Sequence, residues 1–187
     1  MNLNLPTLLT LLRILIIPVF VVFYMLYPTW GHPAAAFLFA LAAITDWVDG
    51  YLARTMQLST RFGAFLDPVA DKLVVTSALV MIVGSPYDND YLTVAAIIIV
   101  GRELIISALR EWMAELGRRR SIAVSFLGKI KTTCQMIALI MLLAVNLTTP
   151  FWLAALGTVL LYVAAALTLW SMCVYIKLAW PDFKAES

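Results

Sequence analysis

The chain has 187 residues, of which 63% are hydrophobic and only 13% charged, with a formal net charge of +2. Soluble domains run nearer half apolar and a quarter charged, so a soluble domain, a disordered chain and a secreted disulfide scaffold are all excluded. The small net charge, scattered among apolar runs, gives no footing for nucleic acid, and a mean hydropathy of +0.94 points to an integral membrane protein.

Six windows of roughly 20 mostly apolar residues, the length a spanning helix needs, follow one another along the chain. The first, Leu5–Tyr27, has no basic stretch ahead of it and is too long for a cleaved signal segment. Pro6 suits the first turn of a helix, and the mixed polar and apolar run up to Arg13 suits an interfacial start. After a break at Pro28–Pro33, the second window spans Ala34–Arg54 and the third Phe65–Gly84. Ser85–Asp90 carries turn chemistry, and Tyr91–Leu116 forms the fourth window. Ser125–Val145 and Phe151–Ile176, separated by Asn146–Pro150, are the fifth and sixth.

Lysine and arginine orient these windows. The breaks after windows one, three and five contain none, whereas Arg61, the run Arg118-Arg119-Arg120 and the tail residue Lys184 fall on the other side. An all-α protein of six transmembrane helices with both termini cytoplasmic satisfies that pattern, as one domain over 1–187. The triple arginine reads as a loop anchor against anionic headgroups. Cys134 and Cys173 lie inside apolar runs and read as small hydrophobes without a disulfide. His32 falls on the extracytoplasmic side and carries no functional expectation.

The informative feature is a set of acids where acids are expensive. Asp46, Asp49, Gly50 and Ala53 share one helical face, and Gly63, Asp67 and Asp71 share another. The windows run in opposite directions across a short cytoplasmic loop, so the two faces can meet near the cytoplasmic boundary. Four converging carboxylates in a low-dielectric place cannot all stay ionised unaided. Divalent cations relieve that repulsion, and paired ions clamp a phosphoryl group during in-line displacement. A proton relay of a transporter and an aspartate-rich diphosphate site of the prenyl-transfer kind remain the alternatives.

The run from Asp46 to Asp71 reads D-x2-D-G-x2-A-R-x8-G-x3-D-x3-D, and it resembles the signature of the CDP-alcohol phosphatidyltransferases at every fixed position. The resemblance implies that Asp46, Asp49, Asp67 and Asp71 hold two ions, Mg²⁺ or Mn²⁺, and that Asp71 also serves as general base. It implies that Gly50, Ala53, Arg54 and Thr60 lie along the CDP moiety, with Pro6, Thr7, Thr10 and Gly63 contributing to CDP-diacylglycerol binding. Flanking stretches are similar to the bacterial branch that makes phosphatidylglycerophosphate. They are Pro6–Arg13, Phe62–Lys72, Gly101-Arg102-Glu103, Ser107–Trp112 and Gly128–Thr132. That branch implies glycerol 3-phosphate as acceptor, a homodimer, and a site facing the cytoplasm of the bacterial inner membrane. The same chemistry with inositol, serine or a lipid as acceptor is the alternative within the family.

An anionic acceptor needs fixed cations beside the acids. Arg110 towards the cytoplasmic end of window four, and Lys129 and Lys131 at the start of window five, stand at that level. Arg102 and Glu103 fall near mid-membrane; Arg102 either satisfies buried groups there or lines the acceptor cavity.

Overall fold

The computed structural model describes residues 5–27, 29–56, 61–85, 90–115 and 126–186, at some positions, such as 49–56 and 129, for the backbone alone. Among the described residues there are six helices and no strand: α1 Leu5–Leu26, α2 Gly31–Met56, α3 Arg61–Val83, α4 Asp90–Glu115, α5 Phe126–Leu143 and α6 Phe151–Glu186. Each coincides with one hydropathy window. The windows mark only the apolar part: α6 continues past Ile176 to Glu186, because backbone hydrogen bonding does not stop where hydropathy falls. Helices α1, α4 and α6 contain stretches long and apolar enough to cross a membrane.

Helix α1 lies against α2 and α3; α5 lies against α2, α3 and α6; α4 closes against α3 and α6. In lipid, helices gain little from burying apolar surface, so close packing of small residues has to hold them together. The core fits that need. Ala35, Ala36 and Ala42 of α2, Ala78 of α3, Ala95 and Ala96 of α4, Ala138 of α5 and Ala165 of α6 are all buried in it. Phe20 and Phe39 fill the larger gap between α1 and α2, edge to face at 6.4 Å. Large apolar side chains such as Leu15, Phe37, Ile97, Leu104 and Trp170 stand outward, the surface a lipid-facing bundle presents.

One end of the bundle is tied by neutral bonds. His32 stacks on Tyr24 at 4.1 Å, and its Nδ1–H donates to the carbonyl of Val145. Asn146 Nδ2 donates to the Thr29 carbonyl at 2.9 Å, while its Oδ1 accepts from the Thr148 amide at 3.0 Å. These bonds join the α1–α2 connection to the α5–α6 connection. Here α1 and α5 end while α2 and α6 begin, and the chemistry-bearing residues lie at the other end.

Two glycines mark backbone approaches of different tolerance. A Cβ on Gly31 would meet the Phe23 carbonyl oxygen at 2.1 Å, whereas one on Gly157 would meet the Leu142 side chain at 3.0 Å. A carbonyl in a helix cannot move aside, but a leucine tip can. Gly31→Ala should therefore destabilise the protein by about 1–3 kcal/mol or more, and Gly157→Ala by less than about 1 kcal/mol. Thermal unfolding of both variants in detergent checks the order; equal midpoints would refute it.

Candidate active site

The acid-bearing faces of α2 and α3 converge on α1. Arg13, in the N-terminal half of α1, has a side chain only 1% exposed, and its Nη1 lies 2.6 Å from Oδ1 of both Asp46 and Asp71. One helical turn earlier, Thr10 Oγ1 donates to Asp67 Oδ1 at 2.6 Å. Positions 10 and 13 share a face, so one stripe of α1 reaches three of the four acids. Pro68 follows Asp67 inside α3 and has no N–H to give to the preceding turn, which interrupts the helical ladder beside the acids.

The acids are not sealed. Asp46 and Asp71 keep 40% and 52% of their side chains exposed. Both line a cavity of about 280 Å³ that α2, α3, α4, α5 and α6 enclose. Its opposite wall is cationic. Lys131 of α5 is buried and donates from Nζ to Glu103 Oε1 at 3.1 Å. Arg102 Nη1 donates to the same oxygen at 2.9 Å, and its Nη2 donates to Ser171 Oγ of α6 at 3.2 Å. Arg110 Nη2 donates to Tyr175 Oη at 3.1 Å, with its guanidinium 5.4 Å from the centre of that ring. Three cations against one carboxylate leave this wall positive, facing acids across a small space.

The expected site residues fall into three groups. Asp46, Asp67, Asp71, Thr10, Arg102, Arg110 and Lys131 are brought to this end of the bundle, the last three around one cavity with Asp46 and Asp71. Thr7 and Gly63 are buried on the α1 and α3 faces. The side chains of Pro6, Asp49, Gly50, Ala53, Arg54 and Lys129, and the whole of Thr60, lie outside the described residues. Arg102 pairs with the part-buried Glu103 and also lines this cavity. Arg13 received no role from spacing. A lone arginine in an apolar stretch was the available signal, because such a charge is costly without partners. Gln135 and Tyr175 received no expectation either, and no local pattern marks them, whereas Glu103 stands in the Gly101-Arg102-Glu103 stretch.

The donor set suits a hard divalent cation. Two carboxylates from different helices already converge on a single positive centre, Arg13 Nη1, and all the acid ligands offer oxygen. Among the described residues, no three acid, histidine or cysteine side chains enclose a metal position by themselves. The fourth acid, Asp49, lies outside that description. Asp46 and Asp71 therefore fit an ion that either shares them with Arg13 or takes its place.

Residues 3–170 match the sequence profile of the CDP-alcohol phosphatidyltransferase family. A CDP-diacylglycerol–glycerol-3-phosphate 3-phosphatidyltransferase of Shigella flexneri serotype 5b (strain 8401) is 53% identical over 182 residues, covering 97% of this chain and 98% of that protein. The protein of the same name from Escherichia coli (strain K12) has the same identity and coverage.

The Arg13 bridge makes an asymmetric prediction. Asp46→Asn with Asp71→Asn removes two carboxylates that pair with a buried guanidinium, which costs on the order of 3–5 kcal/mol. Arg13→Gln leaves two half-exposed carboxylates that reach water, at a cost of roughly 1 kcal/mol. Thermal unfolding in detergent with a chelator should rank the double acid variant as the less stable. Added Mg²⁺ or Mn²⁺ should then raise the midpoint of Arg13→Gln. The reverse ranking would show that Arg13 is not held by these acids.

Proposed function

Since the chain belongs to the CDP-alcohol phosphatidyltransferase family, we propose that it transfers the phosphatidyl group of CDP-diacylglycerol to sn-glycerol 3-phosphate, giving phosphatidylglycerophosphate and CMP. The observation that carries the choice of acceptor is the shared cavity. Asp46 and Asp71 stand on one side and Arg102, Arg110 and Lys131 on the other, in a space of about 280 Å³. That volume is at the small end for ligand pockets, which run roughly 300–1,000 Å³. It suits a short phosphorylated alcohol rather than a second lipid. A neutral acceptor would leave the net positive charge of that wall unmatched.

In the proposed reaction, the acceptor's phosphate docks on Arg110, Lys131 and Arg102, with Lys129 beside them at the start of α5. Arg and Lys are suited to this because charge-assisted bonds to phosphate oxygens are the stronger kind. The terminal hydroxyl of the acceptor then points at Asp71. Its oxygen attacks the phosphorus that bears the diacylglycerol, Asp71 accepts the hydroxyl proton, and the bond to the bridging diphosphate oxygen breaks to release CMP. Asp46, Asp49, Asp67 and Asp71 would hold two ions, Mg²⁺ or Mn²⁺, which when bound neutralise the diphosphate and the departing CMP. Thr10 and Arg13 hold Asp67, Asp46 and Asp71 in place from α1. Pro6, Thr7, Gly50, Ala53, Arg54, Thr60 and Gly63 would line the CDP-diacylglycerol side.

No Ser, Cys or His stands on the two acidic faces, so direct attack by the acceptor is preferred over a phosphatidyl-enzyme. The same proposal places the protein in the bacterial cytoplasmic membrane with the site towards the cytoplasm, where a soluble phosphate ester can enter, and as a homodimer of single-domain chains.

Release of CMP from CDP-diacylglycerol by purified protein, dependent on both glycerol 3-phosphate and Mg²⁺ or Mn²⁺, is the direct test. Turnover with another alcohol but not with glycerol 3-phosphate would overturn the acceptor. Asp67→Asn should lower turnover by at least about a hundredfold, the scale of losing one key electrostatic stabiliser; near-normal turnover in folded protein would remove it from the metal site. Arg110→Gln should raise the KM for glycerol 3-phosphate about ten- to a hundredfold, matching the loss of a charge-assisted bond. The KM for CDP-diacylglycerol should stay close to that of the unsubstituted protein. Equal weakening of both substrates would move Arg110 to a structural role.

A further inference from the structure

Resting on the reading of the cavity as a glycerol 3-phosphate site, we infer that Gln135 recognises the central hydroxyl of the acceptor and thereby sets the preference for a polyol phosphate over a simple hydroxyalkyl phosphate. Gln135 lies one turn after Lys131 on the same face of α5. The bond from Lys131 Nζ to Glu103, at 3.1 Å, turns that face towards α4. Both side chains line the cavity that also holds Asp71 and Arg110.

Gln135 is 5% exposed, and among the described residues its side chain makes no hydrogen bond. A primary amide offers two donors and a carbonyl acceptor, and burying such a group without partners is costly and uncommon. Three of the cations around it are already engaged: Arg102 with Glu103 and Ser171, Lys131 with Glu103, and Arg110 with Tyr175. The Gln135 amide is a neutral group of the lining whose polar atoms reach the cavity with their bonding capacity still open.

Glycerol 3-phosphate carries three polar parts in a row. The phosphate needs cations, which the arginines and Lys131 supply. The terminal hydroxyl must give up its proton, which suits a carboxylate. The central hydroxyl keeps its proton and so both donates and accepts, a pairing that neither a guanidinium nor a carboxylate can complete alone. An amide can: the hydroxyl donates to Gln135 Oε1, and Gln135 Nε2–H donates to the hydroxyl oxygen. A site built to bond a hydroxyl rejects the analogue that lacks it, because the site's own group is then left unpaired.

The test compares two acceptors in the full-length protein in detergent, with CDP-diacylglycerol and Mg²⁺, by CMP release. 3-Hydroxypropyl phosphate keeps the phosphate and the terminal hydroxyl and lacks only the central one. The unsubstituted protein should favour glycerol 3-phosphate by about ten- to a hundredfold in kcat/KM. In Gln135→Leu and in Gln135→Met that preference should collapse to within about threefold. The loss should fall on glycerol 3-phosphate alone. The thermal midpoint without acceptor should stay level, because the amide makes no bond within the protein that its replacement would remove. A preference that survives both substitutions, a parallel loss for both acceptors, or a midpoint lowered by several degrees would each overturn the assignment. An unsubstituted protein that is inactive with both acceptors would overturn the activity itself, and this assignment with it.

Discussion

A single buried guanidinium sets the geometry on which the rest of this end of the bundle depends. Arg13 sits almost wholly out of solvent between Asp46 and Asp71, 2.6 Å from an oxygen of each. Its charge would be prohibitive alone in an apolar bundle, and the two carboxylates would repel each other without it. The buried guanidinium therefore depends on the half-exposed carboxylates more than they depend on it, and its bonds to both fix the register of α1, α2 and α3 against one another. The Thr10 bond to Asp67 repeats the tie one turn away. In lipid, where apolar burial contributes little to helix association, such a charge-assisted junction has more to decide than it would in a soluble bundle.

The two ends of the bundle are held by different physics, and the difference matches what each must do. At one end, His32, Tyr24, Asn146 and Thr29 form neutral bonds between connections, with no group that a charged ligand would displace. At the other, each described contact among the charged groups can be re-paired. In the proposed reaction Arg13 would yield an aspartate to a metal ion, and Arg102 and Lys131 would turn from Glu103 to a phosphate. Glu103 keeps both cations aligned when no anion is present, because one of its oxygens accepts from both. A site that holds its charges in mutual pairs is ready to exchange partners without first losing its shape.

The helices and the acids were legible in the sequence for one reason: both are written in local spacing. Apolar runs locate α1 to α6, three of them long and apolar enough among the described residues to span lipid, and acids at intervals of three and four beside such runs stand out by their cost. What spacing could not show is which distant groups answer them. Arg13 lies 58 residues from Asp71, and nothing local in either stretch names the other. Arg102 and Glu103 were placed near mid-membrane without partners, since Lys131 and Ser171 come from α5 and α6. Gln135 was invisible for the opposite reason: a lone glutamine in an apolar run is ordinary until its surroundings leave it unbonded. The window Phe151–Ile176 matches the apolar stretch Phe151–Lys177, and α6 itself runs on to Glu186 because hydropathy reports lipid contact, not helix continuity.

The placement of the cavity also bears on a hazard common to phosphoryl-transfer sites, the use of water as the acceptor. Val75, Ile99, Val100 and Met136 share the walls with the charged groups, so much of the lining is apolar. A cavity of about 280 Å³ has room for the small polyol phosphate of the proposed reaction. Water in the same place would satisfy neither the cationic wall nor the amide of Gln135 as fully as that acceptor would. Closing polar chemistry inside apolar walls strengthens each electrostatic contact there and lowers the chance of hydrolysis. Setting charges among apolar walls, costly for stability, would then be the same feature that in the proposed reaction favours attack by an alcohol on the lipid diphosphate over attack by the solvent.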